Sequence, residues 1–318
     1  MWLVEGVTVN LTLEMSLTRS IAHGIWFGCQ PPQTEDLLAE AVACARRADS
    51  VVMVIGETAD AGLESIDRHT TALPEHQVAL INAVCAANPR TVVVLNVAHP
   101  VDTRCLARAA AVMVVWYPGQ EFGPALASVL AGDREPGGRL PVTFAREEAD
   151  YAVVNLTPDH HGNLIYHEGQ RVGYRYFAAR ECAPAWAFGY GLGYANIVFG
   201  DTRLHQADGQ PLSVAVSLRN TAVRDGKVVV QVYLRPPAGH EDAPLLMLAD
   251  FATASVGAGK TITVNVPLDA RLFRRWNLSN QAWETQPGRW EVLTGSASNA
   301  ITASHSVSVA KNGAIQLD

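Results

Sequence analysis

Three short runs of nearly unbroken apolar residues constrain this chain most: Val51–Ile55, Thr91–Val97 and Val112–Trp116. Each is rich in β-branched side chains and is five to seven residues long. Runs of that kind suit strands buried on both faces, because a half-exposed strand would alternate apolar and polar residues. The segments between them carry a different period. Leu37, Leu38, Ala41 and Cys44 recur at helical spacing after Thr34-Glu-Asp, which offers an N-cap and acids for the first turn. Pro74 stands where a helix over Glu75–Ala87 would open. Leu106–Ala109 and Phe122–Leu130 read as further helical segments, the latter ending near Gly132. Buried strands alternating with helices predict an α/β domain, a mostly parallel sheet with helices on both faces.

Either side of that unit the period is two. Val7–Leu13 alternates apolar and polar residues, and His23–Gly28 offers one more strand, too few to bury a core of their own. Residues 133–195 are loop-rich, with Pro136-Gly-Gly, Pro141, Pro158 and the run Phe188-Gly-Tyr-Gly-Leu-Gly-Tyr. Beyond about residue 203 strands are expected at Leu212–Arg219, Val228–Leu234, Leu245–Val256, Thr261–Leu268 and Trp290–Leu293, parted by Asp225-Gly, Gly257-Ala-Gly and Pro287-Gly. Regular short strands of this kind predict an all-β sandwich of immunoglobulin or fibronectin type. The 318 residues therefore divide into strands at 1–30, an α/β domain over 31–200 and a sandwich over 201–318.

Charge and cysteine usage narrow the function classes. Asp and Glu outnumber Lys and Arg by 31 to 24, giving a formal net charge of −7 without basic runs, which argues against nucleic acid and anionic membrane surfaces as partners. No apolar run is long enough to span a bilayer, and Met1–Val9 contains Glu5 and lacks the pattern of a secretory signal. Cys29, Cys44, Cys85, Cys105 and Cys182 are odd in number, widely spaced and without a CxxC pair. That pattern suits reduced thiols in a cytoplasmic protein better than a disulfide framework or a zinc site.

Several motifs resemble functional sites but lack their context. Ala254–Thr261 ends in Gly-Lys-Thr, yet Ala254 occupies the place of a phosphate loop's first glycine, so a hairpin turn is expected there. Gly189-Tyr-Gly-Leu-Gly has neither the spacing nor the strand–helix context of a dinucleotide fingerprint. Asp159-His160-His161 with His167 lacks a metal-binding frame, and Gly162-Asn163 reads as a turn. No Gly-x-Ser-x-Gly elbow occurs, and no cofactor or metal is expected.

Gly56-Glu57-Thr-Ala-Asp-Ala-Gly-Leu-Glu64-Ser-Ile-Asp67-Arg68 differs from these: it follows the first buried run with four carboxylates and an arginine. In an open parallel sheet, loops at the carboxyl ends of strands line the ligand crevice. On the residues alone two readings stand open, acid/base chemistry or a solvated acidic loop shaped by Asp67 and Arg68.

Glu64-Ser-Ile-Asp67-Arg68, followed by Leu73-Pro74 and Gln77-x-x-Leu80-Ile81, resembles the acid/base loop of glycoside hydrolase family 3, the β-glucosidase family. The resemblance extends through Asn88–Asn96, Trp116–Gly123, Gly132-Asp133, Pro136–Phe144, Glu168–Tyr176 and Phe188–Tyr194. Val229–Tyr233, Leu268-x-Ala270-Arg and Pro287-Gly288-x-x-Glu291-Val are similar to the family's fibronectin-III-like domain, and the opening to the last strands of an inserted PA14 domain. The resemblance implies a retaining glycosidase acting on a β-glucoside or related glycoside, with Glu64 as general acid/base and Asp67 and Arg68 positioning the loop. Such chemistry needs a carboxyl group that stays protonated near neutral pH, opposite a nucleophile about 5–5.5 Å away.

This chain departs from the pattern in places. Ser65 replaces a glycine, Ile66 an aromatic residue, and Ala61-Gly62 a Trp-Glu pair, so sugar and linkage stay open; Glu57 is a second candidate acid that matches no acid/base position of the family. In the family the nucleophile stands on a (β/α)8 barrel, which takes about 250 residues. The α/β unit and the sandwich fill this sequence, so it is expected to be the C-terminal portion of such an enzyme, inactive by itself, with the missing barrel as its partner. One subunit of a split enzyme and a non-catalytic carbohydrate-binding or structural fragment are the alternatives. Oligomeric state and the role of the sandwich stay open.

Overall fold

The structure is a computed structural model that describes residues 8–12, 14, 36–57, 68–152, 157–180, 182–207, 210–238 and 245–318. The proposed strand remnant at 1–30 falls almost wholly outside the described residues, as do Glu64 and Asp67.

The α/β unit begins with α1 (Leu37–Arg47), capped by Asp36, whose carboxylate accepts from the Ala39 N–H at 3.0 Å. The cap is thus Asp36, two residues beyond Thr34. Strand β1 (Val51–Gly56) follows, then α2 (Glu75–Ala87) behind Pro74, β2 (Thr91–Asn96), β3 (Ala111–Val114) and α3 (Phe122–Leu130). The three strands form a parallel sheet in the order β1-β2-β3, with Gly56 in register with Asn96. One face packs Met53, Ile55, Val93 and Leu95 against Ala45 of α1 and Ile81, Val84 and Cys85 of α2. Burying such a set contributes about 1.5–3 kcal/mol per large side chain.

The opposite face differs from the expectation of a strand buried on both sides. Val52 and Val54 are each 50 % exposed, so β1 alternates although all of its first five side chains are apolar. The cause is position: β1 is the edge of the described sheet, and the helices that share its core lie with Met53 and Ile55. Val94, one strand inward on that second face, is fully buried.

Among the described residues the loop-rich stretch contains a further α-helix, α4 (Tyr174–Arg180), and a short 3-10 turn at Glu148–Asp150. The sandwich comprises β4 (Ile197–His205), β5 (Ser213–Asn220), β6 (Gly226–Arg235), β7 (Met247–Val256), β8 (Thr261–Pro267), β9 (Arg274–Asn277), β10 (Ala282–Thr285), β11 (Gly288–Ala297), β12 (Ala300–Val309) and β13 (Ile315–Leu317). One sheet runs β13-β12-β11-β6-β7, the other β4-β5-β8, and β9-β10 stand apart as a two-stranded ribbon. Between the sheets lie Val214, Val216 and Leu218 of β5, Val230, Val232 and Leu234 of β6, and Trp290 of β11, whose ring meets Phe273 edge-on at 5.1 Å. β5 and β8 bury alternate residues, as the period of two requires, whereas the central strands β6 and β11 also bury runs on both faces.

The Gly-Lys-Thr turn is not a hairpin. β7 and β8 belong to different sheets, so Gly257–Lys260 carries the chain across the sandwich, closed by the Lys260 N–H donating to Gly257 O at 3.0 Å. Period two reports strands but not which sheet each joins, so the crossing could not be read from the pattern.

A third cluster joins the two units. Tyr174 of α4 stacks on Phe188 at 5.0 Å, approaches Tyr233 at 5.9 Å, and accepts from the Leu248 N–H at 2.8 Å. Buried Tyr233, Leu246 and Leu293 complete it. Gly189 lies against the Gln231 amide, with φ +85° and room for no Cβ.

Candidate active site

The carboxyl ends of β1 and β2 place a buried ionic cluster at the root of the acidic loop. The ladder runs one residue past the strand, the Glu57 N–H donating to Asn96 O at 3.1 Å. This turns the Glu57 side chain inward, and only 1 % of it stays exposed. Its carboxylate receives three donors. Arg68 Nη1 and His99 Nε2, the latter at 3.1 Å, meet Oε1, and the Ala98 N–H meets Oε2 at 3.0 Å. Arg68 Nη1 also contacts His99 Nδ1 at 3.1 Å. The imidazole tautomer with hydrogen on Nε2 satisfies both contacts, donating to Glu57 and accepting from Arg68.

The same arginine fixes the residues that come after it. Arg68 Nε donates to Thr70 O at 2.7 Å, the Thr70 hydroxyl donates to Glu148 Oε2 at 2.9 Å, and the Thr71 N–H donates to the same oxygen at 3.1 Å. These two donors hold the Glu148 carboxyl below its ordinary range, the Thr71 N–H contributing most. Gln77 of α2 donates to Gly56 O at 2.8 Å, tying the helix to the end of β1. Glu57 and Arg68, the described residues on either side of 58–67, are themselves an ion pair. An ion pair with one partner buried, and with further hydrogen bonds to His99 and the Ala98 N–H, restricts the geometry of both residues.

Arg68, expected to position the loop, sits at its base with these contacts. Glu57, the second candidate acid, is enclosed by its partners and offers no free face to a substrate. His99 and Glu148 were not singled out from the sequence. The signal for His99 was its place just past the second buried run; Glu148 is 78 residues from Thr70 and gave none. Trp116, just past β3 on the same edge, adopts φ 53°, a left-handed conformation uncommon for a bulky residue, and packs on Phe144 at 6.1 Å.

Among the described residues no group of three His, Cys, Asp or Glu side chains could hold a metal. Asp159, beside His160 and His161, accepts from the His161 and Asn163 N–H groups at 2.9 and 2.8 Å, closing a turn.

Comparison with known proteins decides the family. Residues 5–194 match the glycosyl hydrolase family 3 C-terminal domain, more than half of the chain. The chain belongs to glycosyl hydrolase family 3. Residues 228–298 match the fibronectin type III-like domain. A β-glucosidase of Rhizobium radiobacter is 35 % identical over 289 residues, covering 88 % of this chain and 35 % of that protein. β-Glucosidase B of Emericella nidulans is 33 % identical over 316 residues, 94 % of this chain and 37 % of its own length. Among solved structures, the β-glucosidase DesR of Streptomyces venezuelae, in complex with D-glucose, superposes with a TM-score of 0.80 at 35 % identity, over 86 % of this chain and 35 % of that one. The family 3 β-glucosidase of Bifidobacterium adolescentis gives 0.81 at 33 % identity, over 86 % and 40 %. The family 3 chain thus spans about a third of the length of the relatives it matches, and it carries the C-terminal α/β domain and the fibronectin-like domain, not the catalytic barrel.

Proposed function

We propose that this chain is the C-terminal part of a retaining β-glucosidase-type hydrolase and that Glu64 is its general acid/base. The observation that carries the reading is the Glu57–Arg68–His99 cluster: it anchors both ends of the Glu64-bearing segment at the carboxyl edge of a parallel sheet, where ligand crevices form. In this reading Glu64 gives its proton to the leaving oxygen of a β-glucoside while a carboxylate on a separate (β/α)8 barrel attacks the anomeric carbon. Glu64 then takes a proton from the water that releases the sugar. Asp67 and Arg68 hold the loop, and the barrel is the partner the chain requires. The relatives' shared name, β-glucosidase, supports this substrate class.

Three finer parts travel with the proposal. Residues 1–30 are the closing strands of a PA14-like domain, 31–200 the α/β domain and 201–318 the fibronectin-like domain, and the protein resides in the cytoplasm.

The test replaces Glu64→Gln in an assembly completed by a barrel-bearing chain. General acid catalysis contributes about 10²–10⁴-fold and matters most where the leaving group is poor. Alkyl glucosides should lose about that factor and dinitrophenyl glucosides far less; equal losses would remove Glu64 from the role.

A further inference from the structure

The contacts of His99 depend on where its ring carries hydrogen. Arg68 Nη1 lies 3.1 Å from His99 Nδ1, and a guanidinium can only donate. The Nδ1 atom therefore presents a lone pair, which makes the imidazole neutral with its hydrogen on Nε2. Nε2 stands 3.1 Å from Glu57 Oε1, the same oxygen that Arg68 meets. One guanidinium then balances one carboxylate. A proton added at Nδ1 would set an N–H against the Arg68 N–H groups. It would also leave two cations sharing one oxygen of a carboxylate that is 1 % exposed.

The imidazole is fixed from its own side of the cluster. Val97 and Val101 are buried on either flank of Ala98-His99-Pro100, and the Ala98 N–H is committed to Glu57 Oε2. Pro100 restricts the backbone of the residue before it. Arg68 reaches the cluster on a long side chain that is 24 % exposed, steadied by Nε donating to Thr70 O at 2.7 Å. When the ring charges, Arg68 is the partner that yields. The His99 side chain is 32 % exposed, so protons from solvent reach it.

An imidazole ordinarily changes charge between about pH 5 and 8. The carboxylates behind Thr70 and Thr71 stay ionised through that range. Glu148 is held low by the Thr71 N–H first and the Thr70 hydroxyl second. Burial raises the Asp102 pKa, but the hydrogen bonds from Arg104 outweigh it and leave the group lowered. Arg104 itself is paired with Asp102 and Glu147. His69, next to Arg68 in sequence, is exposed and provides a control.

We propose that His99 is a positioning residue for this site, working in its neutral form: it holds the Arg68 guanidinium at Glu57, and protonation of its Nδ1 releases Arg68. The site is then assembled at neutral pH and loosened in mild acid. Its place in a glucosidase rests on the reading above; the dependence of Arg68 on His99 does not.

The test is a nitrogen-15 NMR titration of the 318-residue chain labelled at histidine and arginine. The His99 signals are assigned by their absence from His99→Asn or His99→Gln. At about pH 8 the ring should carry its hydrogen on Nε2. The second readout is water exchange of the Arg68 Nε–H, compared with His99→Asn at each pH because exchange itself slows in acid. The Asn side-chain oxygen can stand where Nδ1 stood and takes up no proton. As His99 charges, Arg68 exchange in the parent should become at least ten-fold faster than in His99→Asn. His99→Ala should exchange fast throughout, and His69→Asn should leave the transition unchanged. Hydrogen on Nδ1 at about pH 8, or Arg68 exchange that matches His99→Asn at every pH, overturns the proposal. In an assembly that turns over, the parent should lose rate on the acid side where His99→Asn does not, and identical pH profiles would contradict the positioning role. An assembly that hydrolyses nothing would count against the glucosidase reading instead, and the spectra alone would then decide the role of His99.

Discussion

At the scale of single residues, Glu57 is the centre of the ionic cluster that precedes residues 58–67. Its carboxylate is 1 % exposed and receives Arg68, His99 and a backbone N–H. Glu57→Gln puts an amide where one oxygen accepted and leaves the Arg68 guanidinium, 24 % exposed, without its counter-charge. Removing one partner of a buried pair costs a few kcal/mol, and the partial exposure of Arg68 brings this to about 2–3 kcal/mol. Urea unfolding should show that loss. If Glu64 is the proton donor as proposed, the same variant in an active assembly should slow good and poor leaving groups alike, unlike Glu64→Gln, because it disturbs the flanking cluster without removing that donor. The sequence showed the acidic residues of this segment but not which was enclosed. Glu57 and Glu64 are both carboxylates in one loop, and what separates Glu57 is a contact with His99, 42 positions away in sequence.

At the scale of elements, the exit of the loop is fastened by Glu148 to Thr70 and Thr71. The folded-state pKa of Glu148 is depressed, so its contribution is present above the ordinary carboxylate pKa and is lost as pH falls through the lowered value. The stability difference between the parent and Glu148→Gln should therefore be full at pH 7 and shrink below about pH 4. Urea titrations across that range measure it, and a difference that grows on acidification would contradict the assignment. Elements with a strong period were legible: α2 and α3 span the residues their spacing predicted, and β1 to β3 agree to within two residues at each end. Those missed have mixed composition. The ribbon Arg274–Asn277 and Ala282–Thr285 is polar apart from two tryptophans and an alanine, and β12 places polar residues at positions 302, 304, 306 and 308 with a histidine among them. α4 lay inside a glycine-rich stretch and is held by Tyr174 packing against the sandwich, a tertiary cause that no local pattern carries.

At the scale of the whole molecule, the α/β unit and the sandwich are coupled through Tyr174, Phe188, Gln231 and Tyr233. Tyr174→Phe strands the Leu248 N–H in a half-buried place and should cost about 1–2 kcal/mol. Gly189→Ala should cost more, since its Cβ would lie 2.4 Å from the Gln231 side chain at a φ of +85°. Scanning calorimetry should show the two units melting farther apart in Gly189→Ala than in the parent. The two-unit division was legible because the apolar period changes from mixed to strictly two. The sheet-to-sheet crossing at Gly257–Lys260 and the seam were not, because both depend on contacts between distant segments.

In the reading proposed above, this chain brings a proton donor to an active site whose nucleophile stands elsewhere. Hydrolysis of a nitrophenyl β-glucoside panel by the purified, folded 318-residue chain alone puts that to the proof. No turnover above the uncatalysed rate is expected. Turnover that Glu64→Gln abolishes would mean that both carboxylates of the reaction reside in these residues, and the reading would be wrong.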